Sequence, residues 1–139
     1  MGRVAAIAKI ENLQDEWAAK RGLIKTTEVR CVEVPDALVD TGAMRLALPT
    51  GIIERLGLSM TAERPSITAN GIRIAKQYDP VRLTIQGRDC IIDVVEVPDV
   101  VPVLIGQVPL ELLDFIVDPS RQTLVPNPRY GGEQVIEML

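Results

Sequence analysis

The sequence predicts an all-β domain with two small helices, built from two similar halves. Val81, Leu83 and Ile85 alternate with polar neighbours at the two-residue period of a strand with one buried face. Asn70-Gly71 sits between apolar residues and is a strong hairpin-turn signal. There is also an echo along the chain. An apolar strand ends in glycine and is followed by a short helix and a strand, around residues 37–58 and again around 103–117.

The bulk composition narrows the function. At 139 residues the chain is long enough for one domain with its own core, and 47% hydrophobic with 24% charged is a globular balance. A net charge of −4, with no basic cluster and few aromatic residues, argues against a nucleic-acid partner or an anionic membrane. There is no histidine, so the commonest general base and the commonest metal ligand are both missing. Cys31 and Cys90 match no zinc spacing. They could form a disulfide, but two buried thiols in a reducing compartment are the preferred reading. The expectation is therefore no metal and no cofactor. The apolar start is too short and too soon charged for a signal core or a membrane span, so a cytoplasmic protein is expected.

Residues 3–11 read as a first strand. Asn12 then reads as an N-cap, with Asp15 and Glu16 in the first turn of a short helix, Lys20 and Arg21 in the last, and Gly22 beyond it. Leu13, Trp17 and Ala18 would share one face of that helix, with Trp17 as a packing anchor. Residues 28–39 are strand-like, with Pro35-Asp36 marking a bend or turn between two strands. Residues 44–48 are extended again, Pro49-Thr50 opens a second helix, and Gly57 closes it.

The middle of the chain, residues 65–97, reads as antiparallel strands with a turn at 86–89. Residues 103–106 form a second apolar run ending in glycine, and 109–113 a short helix. The last hairpin turns at Asp118-Pro119-Ser120-Arg121. The expected organisation is an N-terminal strand and short-helix extension over 1–27, a principal domain over 28–126, and a loose tail over 127–139.

The chemistry centres on Ala37-Leu38-Val39-Asp40-Thr41-Gly42-Ala43. A carboxylate directly after an apolar strand is partly desolvated. It needs hydrogen bonds or a neighbour with which to share a proton. On its own, Asp-Thr-Gly is most often a turn closed by an Asx hydrogen bond. With Val103-Leu104-Ile105-Gly106 placed downstream and a hairpin-rich middle between, the pattern resembles the retropepsin-like aspartic proteases over residues 28–126.

The resemblance implies a closed β-barrel or sandwich with one or two short helices. It also implies a homodimer in which each chain supplies one catalytic Asp40. Thr41, Gly42 and Ala43 would support the active-site loop. Asn70, Gly71, Ile72 and Ile74 on a flap, with Leu104 beside the loop, would bind an extended peptide or protein substrate. The chain departs from retroviral members at Met44-Arg45 and Gln107, where those proteins place an acid and an arginine that pair. That departure leaves an alternative: a dimeric peptide-binding or scaffold module with weak or no turnover. Asp36, Asp79, Asp89, Asp93 and Asp118 read as solvated or capping residues in turns and on exposed faces.

Overall fold

The computed structural model describes residues 3–135. Six strands close into a ring. They are β1 (Ala5–Asn12), β2 (Cys31–Val39), β7 (Leu104–Ile105), β3 (Leu46–Pro49), β6 (Arg88–Val97) and β5 (Gly71–Ile85), and β5 pairs back onto β1. The β2–β7 and β3–β6 pairs are parallel and the others antiparallel. Strand β4 (Met60–Thr68) joins only β5, and β8 (Phe115–Asp118) pairs with β9 (Thr123–Pro126) as a separate hairpin. The all-β retropepsin-like expectation is met, with three short helices: α1 (Leu13–Lys20), α2 (Thr50–Leu56) and α3 (Gln107–Leu113).

The ring closes around one apolar core. Ile10, Leu46, Leu48, Val81, Leu83, Val94 and Ile105 are fully buried. Each such side chain contributes about 1.5–3 kcal/mol relative to exposure. The alternation at 81, 83 and 85 supplies one wall of this core. Strand β1, expected as part of an extension, is a full member of the ring through β2 and β5.

Several local expectations need correction. Pro35-Asp36 does not separate two strands. Ala6 pairs with Ala37 and Ala8 with Val34, so β2 is continuous and carries one extra residue there. Proline has no N–H to donate, and a bulge is where a ladder tolerates that loss. Trp17 is not buried. Leu13 takes the inward position of the short helix, while Trp17 stays 43% exposed. The helix is tied down by polar contacts instead, Asp15 to Arg30 and Glu16 to Arg82. Cys31 is exposed, because Val32 and Val34 face inward and alternation turns Cys31 outward. Both cysteines are free, and burial pushes the Cys90 thiol up to about 11. Asp79 is buried rather than solvated, its carboxylate accepting the Ser59 N–H at 2.9 Å.

Helix α3 begins two residues earlier than expected. Pro109 stands in its first turn, where the missing N–H has no intrahelical partner to lose. Within the expected tail, Asn127 donates to Asp114, and Gln134 donates to the carbonyls of Asp89 and Leu112. Residues 136–139 lie outside the described residues.

Candidate active site

Asp40 follows the last residue of β2, at the point where β2 runs parallel to β7. Its N–H donates to the Ile105 carbonyl at 3.0 Å, so the second apolar run holds the first at the acid itself. One carboxylate oxygen accepts the Gly42 N–H at 3.0 Å, and the Asp40 carbonyl accepts the Ala43 N–H at 3.0 Å. The tight turn therefore exists as an Asx turn, and it aims the half-buried acid out of the strand end. Thr41 and Gly42 are exposed, and the Thr41 hydroxyl has no hydrogen-bond partner among the described residues.

The two apolar-Gly elements interlock. The Gly106 N–H donates to the Arg45 carbonyl at 3.0 Å, Gln107 N–H to Ala43 at 2.8 Å and Val108 N–H to Met44 at 2.9 Å. The first N–H groups of α3 thus find partners in the loop after Asp40, which satisfies donors every helix leaves open. Gly106 is required by proximity, since a Cβ there would lie 2.6–2.7 Å from backbone atoms of Ala43 and Arg45. Ile105 points into the core, so Leu104 is turned to the opposite face of the sheet, where it is half-buried.

The β4–β5 hairpin projects from the barrel as a flap. Its two-residue turn is Ala69-Asn70, with Thr68 opposite Gly71, one position earlier than the Asn-Gly signal implied. The Thr68 hydroxyl accepts the Asn70 N–H and donates to the Gly71 carbonyl, and Gly71 takes φ +104°, open only to glycine at low cost. Pairing of Ile67 with Ile72 and of Pro65 with Ile74 puts these four on one face, while Arg64 and Arg73 lie on the other. The apolar face is turned toward the body, since Ile74 and Lys76 line a recess with Thr50, Glu96, Val97 and Pro98.

The structure thus brings Asp40, Thr41, Gly42, Ala43 and Leu104 together. Asn70 and Gly71 stand at the flap tip and Ile72 and Ile74 along its face, 69% and 63% exposed. Among the described residues no hydrogen bond joins the flap tip to the Asp40 loop.

This crossing of two apolar-Gly elements, in a barrel that also carries a projecting hairpin, is matched at the level of sequence. The pattern of the aspartyl protease family covers residues 26–108, well over half of the chain. The chain belongs to the aspartyl protease family. The clan is the retropepsin-like one. No curated protein matches the chain.

Within this aspartyl protease fold, Arg45 pairs with Asp93 on β6 at 3.1 Å, so the position after the motif is engaged inside its own chain. Three groups were not singled out from the sequence. Asp99 accepts the Gly51 N–H at 2.8 Å and caps α2, whose own N-cap residue, Pro49, has no side-chain oxygen. Glu96 accepts the hydroxyls of Thr50 at 2.8 Å and Tyr78 at 3.2 Å. Burial, and then the Glu96 charge, hold the Tyr78 phenol above its usual range and keep it a donor. No local motif announces these partners, which are 46 and 18 residues from Glu96. Among the described residues no cluster of His, Cys, Asp or Glu is placed to hold a metal, and no helix is long and apolar enough to cross a membrane.

Proposed function

We propose that the protein is an aspartic endopeptidase that hydrolyses peptide bonds between the Asp40 carboxylates of two copies. The observation that carries the reading is Asp40 itself: one aimed, half-buried acid beside an exposed Thr41 whose hydroxyl has no hydrogen-bond partner among the described residues. One chain offers one such acid, and the chemistry needs two. Carboxylates brought together across a two-fold axis share a proton, as is well described for aspartic-protease dyads. They titrate as a pair. The ionised member takes a proton from a water held between them, and that water attacks the peptide carbonyl. The protonated member donates to the carbonyl oxygen as charge develops, and a proton then passes to the leaving nitrogen.

In this reading Thr41 braces the two loops across the axis and Gly42 exposes backbone to the substrate. Ile72, Ile74 and Leu104 line apolar side-chain pockets, while the flap around Asn70-Gly71 closes over an extended peptide and excludes water. Two free cysteines suit a reducing, cytoplasmic setting. The intrachain Arg45–Asp93 pair favours the second reading, a dimeric peptide-binding module with little turnover.

Replacing Asp40 by Asn keeps the shape and the Gly42 contact but removes the ionisable group. With a mixed peptide library at mildly acidic pH, cleavage should fall by roughly a thousandfold or more in Asp40→Asn. Cleavage that survives the substitution sinks the proteolytic reading. Tight peptide binding by the unaltered chain, with no products over long incubation, supports the binding module.

A further inference from the structure

The ladders of β5 are bulged on both flanks of Tyr78, at the point where the flap leaves the barrel. On one side β4 carries an extra residue between Met60 and Ala62. On the other, β5 itself carries one between Tyr78 and Val81, opposite the stretch from Val94 to Ile92. Bulges bend and re-aim a strand, so Tyr78 sits at the root of the projection. The last β5–β6 pair is Gln77 with Val95, and beyond it β5 is paired with β4 alone. A second clasp closes the root, with the Asp79 N–H donating to the Ser59 carbonyl at 3.0 Å and the Ser59 N–H to the Asp79 carboxylate.

Above the root the flap is poorly packed against the body. A recess of about 400 Å³ lies between them, and Ile72 and Ile74 are mostly exposed. Apolar contact therefore contributes little to holding the flap in place. Glu96 is the next residue after the last β5–β6 pair. Its two carboxylate oxygens take one hydroxyl each, from Tyr78 at the flap root and from Thr50 at the start of α2. It forms no salt bridge among the described residues, so its bonds are those to the two hydroxyls. Hydrogen bonds to a charged acceptor are stronger than neutral ones.

We propose that Glu96 is a positioning residue for the flap, tying its root at Tyr78 to the barrel through Thr50, so that the face carrying Ile67, Ile72 and Ile74 is held toward the body across the recess that Ile74 and Lys76 line with Thr50 and Glu96. Its effect on turnover rests on the proteolytic reading; its effect on flap motion does not. Two readouts on the 139-residue chain separate these. In Glu96→Ala and in Tyr78→Phe, amide hydrogens of residues 62–76 should exchange about fivefold faster, while those of β1 and β2 are unchanged. Peptide KM should rise by about the same factor with kcat within about twofold, because the loss falls on substrate enclosure rather than on the acids. Glu96→Gln keeps one oxygen acceptor and should recover most of the protection. If Glu96→Ala fails to fold, Tyr78→Phe, which removes only a hydroxyl, carries the test. Unchanged flap exchange, or exchange that rises equally in every strand, overturns the proposal. A parent chain that cleaves no peptide counts against the proteolytic reading, while the exchange measurements still decide the anchoring.

Discussion

Gly106 shows how far a single residue constrains the centre of this molecule. Its backbone passes so close to Arg45 and Ala43 that even one methyl group meets backbone rather than a yielding side chain. Gly106→Ala should therefore push the start of α3 away from the loop that follows Asp40. The cost expected for overpacking of this kind is about 1–3 kcal/mol, read as a lowered urea midpoint with an unchanged slope. A substituted chain of parental stability would show that the crossing is looser than its geometry. Gly106 and Asp40 are legible in the sequence, because each directly follows an apolar run. Glu96 is not. Its partners come from a distant helix and a distant strand, and a glutamate between Val95 and Val97 carries no mark of them. The burial of Asp79 is hidden from the sequence for the same reason, since its partner Ser59 is brought to it only by the flap hairpin.

Among the elements, those defined by period and caps were read well, and those defined by neighbours were not. The strand at 81–85 and the αL glycine closing α2 follow from local pattern. The single bulged β2 does not, because whether a proline breaks a strand or sits in a bulge depends on its partner strand. Helix α1 lies between these cases. Asn12 was legible as its cap and accepts the Asp15 N–H at 3.0 Å. It also donates to the Leu56 carbonyl at 2.7 Å, which ties α1 and β1 to the end of α2. That second bond is buried and 44 residues long-range. Asn12→Ala should lose the cap and leave a buried carbonyl unpaired, together costing about 2–3 kcal/mol in thermal or urea unfolding. Asn12→Ser restores the cap alone and should recover about half of the loss. Full recovery with serine would mean that the Leu56 contact contributes nothing.

At the scale of the whole molecule, the catalytic reading turns on whether Asp40 acts alone or as half of a pair. The single chain presents one acid, with an exposed Thr41 beside it and a flap whose apolar face is largely uncovered. A two-fold partner would supply the second carboxylate. Mixing chains tests this without needing the shape of the interface. Parental chain and Asp40→Asn chain, co-refolded in equal amounts, assort at random if the substitution leaves assembly untouched. Only dimers with two intact acids turn over, so about a quarter of the parental activity per total chain should remain. If each chain worked alone, about half would remain. Intermediate ratios sharpen the distinction, because activity should follow the square of the intact fraction rather than the fraction itself. Dilution gives a second reading of the same equilibrium. Activity per chain should fall as the concentration drops below the dimer dissociation constant, and excess Asp40→Asn chain should restore assembly without restoring activity. A linear dependence on the intact fraction, together with concentration-independent activity, would place the whole reaction in one chain and remove the shared-proton mechanism.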